Sequence, residues 1–169
     1  MGKVSVKEDK SIYQIRREEL GLSRDKASEV LETMSPERIE RIENGKLAIH
    51  PDEVLQMSKG YKMPNLCNYY CANECSIGKE YVPEVKVKDL SQIVLEMVAS
   101  LNSMKKKQER LIEITADGVI DDEEIEDFVA IQQELEHISI TVETLKMWSA
   151  QMLANSKINM DLYNKYKDK

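Results

Sequence analysis

Aromatic residues are scarce in this chain. One Phe and one Trp stand beside seven Tyr in 169 residues, 5% in all. That supply is too thin for the aromatic and β-branched faces of sandwiches and barrels, so an all-β fold is not expected. No run of about 18 apolar residues occurs, which leaves no candidate membrane span. The opening "MGKVSVKEDK" has no apolar segment of the secretory kind. Cysteine is sparse and odd in number, at three. An odd count without a signal sequence points to reduced thiols and a cytoplasmic protein. There is no Gly-rich phosphate loop and no nucleophile elbow. The two histidines, His50 and His137, fall in different segments with no evident acid partner. Neither an enzyme nor a bound cofactor is expected.

What the chain does contain is charge and helix formers. Charged residues make up 33% and hydrophobic residues 41%, and the formal net charge is -7. Residues 1–62 hold 12 Lys+Arg against 12 Asp+Glu, and residues 63–169 hold 12 against 19, so the second part carries the whole imbalance. A neutral head can still approach a polyanion, because only charge within roughly 8–10 Å is felt at physiological salt.

The head reads as short helices in series. In "SIYQIRREELGL", Ile12, Ile15 and Leu20 fall near one face and Gly21 ends the piece. Ser23 is an N-cap for a helix whose apolar edge is Ala27, Val30 and Leu31. In "SPERIERIENGK", Ser35 caps, Pro36 takes the first helical position and Asn44-Gly45 stop the helix. Ile39 and Ile42 turn inward there, while Glu37, Arg38, Glu40 and Arg41 face water. "HPDEVLQMSKGYKM" repeats the pattern with Pro51 near its start.

"IRREELGLS", "ERIERIENGK" and "PDEVLQMSKGY", in that order, resemble the Cro/phage-repressor (XRE) helix-turn-helix family over about residues 10–75. The resemblance implies that the helix before "IENG" enters the major groove of double-stranded DNA. It would place Ser35, Glu37, Arg38 and Arg41 at base edges or flanking phosphates. Arg24 stands where the family often has a phosphate-contacting Gln, and Lys46 would touch backbone. Arg17 and Glu43 match positions that often form a structural ion pair. The chain departs from the pattern in two ways. The turn "LETMS" makes the interval one residue longer, and Glu37 and Glu40 lie on the reading face, where carboxylates repel phosphate. An adaptor that keeps the fold and contacts protein is therefore the alternative to a DNA-binding regulator.

Cys67, Cys71 and Cys75 recur every four residues, a single stripe on a helix. They are candidate zinc or iron–sulfur ligands in principle, with His50 as a possible fourth zinc ligand. Metal sites favour the curled C-x2-C spacing, and the expectation is small buried side chains and no metal. "GKEYVPEVKVKD" (78–89) reads as an extended connector, followed by Asp89 as an N-cap with Gln92 three places on.

Beyond it, Leu90, Val94, Met97, Leu101, Met104, Gln108 and Leu111 follow heptad spacing. Phe128, Ile131, Leu135, Ile138, Val142, Leu145 and Met152 do the same, with Ser149 as a polar member. Two such helices make an antiparallel hairpin with arms of roughly 40 and 50 Å. Further apolar positions (Ile93, Ile112, Ile125, Trp148) widen each stripe, which argues for a homodimer. The turn "EITADGVIDDEE" resembles a calcium-binding loop from Gly118 on, but Glu113 and Thr115 stand where its first Asp ligands belong. Asp121 with Glu124 is read instead as a capping box.

The expected organisation is all-α. A tail (1–9) precedes a helix-turn-helix bundle of four to five short helices (10–80). A linker (81–88), a coiled-coil-like hairpin that dimerises (89–155) and a C-terminal tail (156–169) follow. The expected function is a homodimeric regulator with no membrane association and an effector the sequence does not name.

Overall fold

The computed structural model describes residues 10–167, so the stretch read as an N-terminal tail lies outside the described residues. Described residues form helices and connections, with no strand among them. Five short helices build the head: α1 (Ile12–Glu19), α2 (Arg24–Leu31), α3 (Pro36–Glu43), α4 (Pro51–Gly60) and α5 (Asn65–Asn73). A single turn, α6 (Gly78–Tyr81), follows them. Two long helices, α7 (Leu90–Ile114) and α8 (Ile125–Ala154), come next. Met160–Lys167, within the stretch read as a C-terminal tail, is helical (α9). The described residues fall into two units. One holds the chain through Glu84 together with the chain from Ala150 on, and the other is Val85–Ser149.

Helix starts follow local chemistry. Ser11, Ser23 and Ser35 each take extended backbone and accept a hydrogen bond from an N–H in the first turn of α1, α2 and α3. Each bond satisfies a donor that the helix cannot use. The head core is Tyr13, Ala27, Leu31, Met34, Ile39, Ile42, Ile49, Val54, Met57, Tyr61 and Leu66.

On α1 the buried face differs from the expected one. Tyr13, Gln14 and Arg17 are buried, while Ile15 and Leu20 are exposed. The aliphatic residues do not choose the face because Arg17 and Tyr13 find polar partners inside. The Tyr13 hydroxyl donates to Glu74 at 3.0 Å, and its ring meets Tyr69 edge-on at 6.3 Å between centroids. Burial first, and then the Glu74 charge, raise the Tyr13 pKa far above the ordinary tyrosine range.

The extra residue in "LETMS" is absorbed at one point. Glu32 has φ 56° and ψ -41°, and the Thr33 N–H donates to the Leu31 carbonyl at 2.6 Å. That is a γ-turn of the strained hand. The strain is held because Leu31 and Met34, on either side, are both buried.

Residues 78–81 also depart from expectation. They coil into α6 instead of extending, because α6 packs on α5. Gly78 makes this possible: a Cβ there would run into the Cys71 backbone.

In the second unit α7 and α8 run antiparallel. Ser103 Oγ donates to Glu134, Lys107 Nζ to the Ala130 carbonyl and Arg110 Nε to Asp127, so the register falls along α7 as it rises along α8. The turn between them keeps its capping box. Asp121 Oδ1 accepts from the Glu123 and Glu124 N–H groups, and Glu124 Oε2 accepts from Asp121 N–H. Asp89 sits at the N-cap of α7, yet its side chain makes no cap hydrogen bond.

The heptad stripes do not close the hairpin as whole seams. Met97, Met104 and Leu111 on α7 are partly buried, as are Ile138 and Leu145 on α8, and Ile131 is fully buried. Val94, Leu101, Leu135 and Val142, members of the same stripes, remain exposed. Ile93 and Ile114, outside the expected seam, are fully buried. One row of each stripe is thus buried or partly buried, and most of the other is left exposed.

Glu32→Gly should relieve the strained turn and raise the unfolding free energy of the protein by about 1 kcal/mol, read as a higher urea midpoint at unchanged m-value. A lower midpoint would show that the turn is unstrained.

Candidate nucleic-acid interface

α3 has one buried side and one open side. Ile39, Ile42 and Glu43 are buried, and Glu37, Glu40 and Arg41 are exposed. The turn after Asn44, where Gly45 has φ 66°, brings the exposed Lys46 to the C-terminal end of the helix.

Glu43 anchors α3 from inside. Its carboxylate is fully buried and takes a bidentate pair from Arg17 of α1, Nε to Oε1 at 2.5 Å and Nη2 to Oε2 at 3.0 Å. The Arg17 Nη1 also donates to the Leu22 carbonyl at 2.6 Å. Burial works against the Arg17 charge, but the Glu43 hydrogen bonds and charge outweigh it and hold the guanidinium above its ordinary pKa. The Arg24 Nε donates to the second Glu43 oxygen at 2.9 Å, and its Nη1 lies 3.8 Å from Glu40. Glu43 thus joins α1, α2 and α3 through two arginines.

Arg38 is engaged as well. Its Nε and Nη2 donate to the two Glu53 oxygens at 2.7 and 2.6 Å, and Nη2 also donates to the Ala48 carbonyl at 3.0 Å. Glu53 in turn accepts the His50 backbone N–H at 2.8 Å, closing the first turn of α4. Arg38 therefore pins α3 to the start of α4. Its hydrogen bonds hold the Glu53 carboxyl below the usual carboxylate range, against the opposing effect of burial.

Glu37 has a local reason to be where it is. Its own backbone N–H and the Ser35 hydroxyl lower its pKa, so it stays ionised at the positive end of α3. The Ser35 side chain is itself spent on the cap.

Of the sequence candidates, the structure brings Ser35, Glu37, Arg41 and Lys46 to the exposed side of α3 and its following turn. Arg24 and Arg38 are half-buried and carry carboxylate partners. Among the described residues, Arg41 and Lys46 are the cations of this surface without an ion pair. The sequence reading missed Glu53 and Ala48 as partners of Arg38. The signal available was weak: Glu53 stands three residues after His50, the spacing of a capping residue, but nothing local tells that Arg38 reaches it.

A family model described as Helix-turn-helix matches residues 12–64. That stretch is a helix-turn-helix domain. No curated protein and no solved structure matches the chain. Within the helix-turn-helix domain, α2 and α3 are the two helices joined by the strained turn at Glu32.

The cysteines lie on another side of the head. All three are free and half-buried. Cys67 packs against the head core, and Cys75 Sγ accepts the Gly78 N–H at 3.5 Å. Burial and then the neighbouring sulfurs raise the Cys71 pKa, which keeps it a thiol. Among the described residues no three His, Cys, Asp or Glu side chains gather as a metal site. No described helix is long and apolar enough to cross a membrane.

Removing one partner of the buried pair should be costly. Glu43→Ala strands Arg17 in the core and should destabilise the head by about 3–5 kcal/mol, whereas Arg17→Met with Glu43→Leu should cost far less. Equal losses for both variants in urea unfolding would contradict this.

The Arg38–Glu53 pair sets a pH dependence. Because the folded Glu53 pKa is depressed, its stabilisation is present above the unfolded carboxylate value and is lost as pH falls through the lower folded value. Acid titration of stability should therefore be shallower in Arg38→Ala than in the parent chain. Superimposable curves would remove the pair from the acid response.

Proposed function

We propose that this chain is a sequence-specific DNA-binding transcription regulator that acts as a homodimer. The helix-turn-helix match supports a DNA-binding regulator as the general class. The observation that carries the finer reading is the exposed side of α3, where Arg41 and Lys46 are free of carboxylate partners while α3 is locked from behind by Glu43 and Arg38. A reading helix held this way presents a fixed set of side chains to the groove. Arg41 would read a base edge, with Ser35 and Glu37 beside it, and Glu37 could accept from a cytosine amino group. Lys46 would meet phosphate. Arg38 acts by positioning α3, and Arg24 lends only the part of its charge that Glu43 and Glu40 leave uncompensated.

A second reading, an adaptor that contacts protein through the same fold, is favoured by one observation. Two of the four cationic candidates are tied to carboxylates, and Glu37 and Glu40 remain exposed on the same helix. Such a surface is close to neutral, whereas non-specific DNA affinity comes from unneutralised cations.

Selection of bound duplexes from a random pool, followed by gel shift at low and moderate salt, decides between the two. The regulator reading expects a selected sequence with two half-sites about 34 Å apart. Arg41→Ala should then relax preference at one position per half-site, a loss of about 1–3 kcal/mol of discrimination. Lys46→Ala should weaken all sequences alike and reduce the salt slope by about one. Glu40→Gln should tighten non-specific binding. No retention of any duplex at about 50 mM salt, without rescue by Glu37→Gln and Glu40→Gln together, would give the head to the adaptor reading.

A further inference from the structure

We infer that one broad face of the α7–α8 hairpin is the docking surface for the same face of a second copy of this chain, so that two hairpins form a four-helix bundle. This deepens the homodimer half of the proposed function and rests on it.

The argument starts from the two rows of each heptad stripe. On α7 the row Met97, Met104, Leu111 is partly buried, and the row Val94, Leu101 is exposed. On α8 the row Ile131, Ile138, Leu145 is buried or partly buried, and in the row beside it Phe128 is partly buried while Leu135 and Val142 are exposed. Val94, Leu101, Leu135 and Val142 are between 36% and 54% exposed. A two-helix contact needs only one such row. Both rows are covered when each helix has a neighbour on two sides, as in a four-helix bundle.

Geometry puts the uncovered rows together. At about 100° per residue, each is displaced from its helix's contact line in the same rotational sense. In antiparallel helices, displacements of the same sense fall on the same side of the pair. Leu90, Val94, Leu101 and Ile112 therefore share one face of the hairpin with Leu135 and Val142. The opposite sense on α7 carries Glu96, Lys106 and Arg110. Leu95 (71% exposed) and Glu113 lie near the back of the helix.

The occupant is fixed by repeat and size. Val94 and Leu101 on α7, and Leu135 and Val142 on α8, each stand seven residues apart, with polar Gln108 next on the α7 row, so a second copy presents knobs at the spacing of the holes. A face about 33 Å long and about 20 Å wide offers on the order of 650 Å² before corrugation, close to the roughly 800 Å² per partner of a stable interface.

The full-length chain tests this by analytical sedimentation together with circular dichroism. Leu101→Asn and Leu135→Asn should each raise the dimer dissociation constant by at least roughly 30-fold while retaining helicity, and Leu95→Asn, on the back of α7, should leave it unchanged. Because a face variant could unfold instead, the parent chain supplies a second reading. Its melting temperature should rise over a 100-fold increase in protein concentration. A parent chain that sediments as a monomer at about 50 µM, or melts independently of concentration, overturns the inference. So does a dimer that survives both face variants. Gel shift on the same samples separates the two readings. DNA binding by a monomeric parent chain leaves the head's function standing without this interface. A dimer that Leu101→Asn dissolves supports the interface even if no duplex is retained.

Discussion

The head is organised around one buried carboxylate. Glu43 is inaccessible to water and is held by Arg17 in a bidentate pair and by Arg24 at its second oxygen. Burying such charges costs several kcal/mol for each ion unless geometry and further hydrogen bonds compensate. Here the Leu22 carbonyl takes a further Arg17 donor, at Nη1. The pair stabilises less by its net energy than by what it forbids. Any shift of α3 relative to α1 would leave a charge unpaired in the core. The face α1 buries and the orientation of α3 follow from that constraint, and Ile15 is left in water as a result.

Arg38 and Glu53 repeat the device nearer the surface, fastening α3 to α4. The consequence is a structural division among cations that look alike in sequence. Arg17, Arg24 and Arg38 have carboxylate partners and shape the domain, whereas Arg41 and Lys46 do not. A near-neutral head can then hold a few free cations at a defined place without being basic overall. The acidity of the chain falls after residue 62, outside the matched segment apart from its last two residues.

The hairpin shows the same contrast between pattern and outcome. Heptad spacing identified both helices and their antiparallel return, because an apolar repeat of that period can be covered only by another helix. It did not show which row would meet the partner. Ser103, Lys107 and Arg110 find acceptors on α8, and Ile93 and Ile114, outside both stripes, are buried. The apolar residues left outside are surplus for a two-helix contact.

The sequence by itself determined the elements: serine caps, Pro36 at a helix start, the stop at Asn44-Gly45 and the capping box of Asp121 and Glu124. These depend on contacts within three or four residues, and local chemistry settles them. It also carried the family resemblance, since motif order and spacing are linear properties. Tertiary structure alone decided that α1 buries Tyr13 and Arg17, that Arg38 reaches Glu53 fifteen residues away and that Glu32 takes up the extra residue of the turn. Each depends on where distant side chains arrive once the core has closed. Arginine on a helix surface has the same pattern in sequence whether it meets solvent, phosphate or a buried carboxylate, and only packing selects among them.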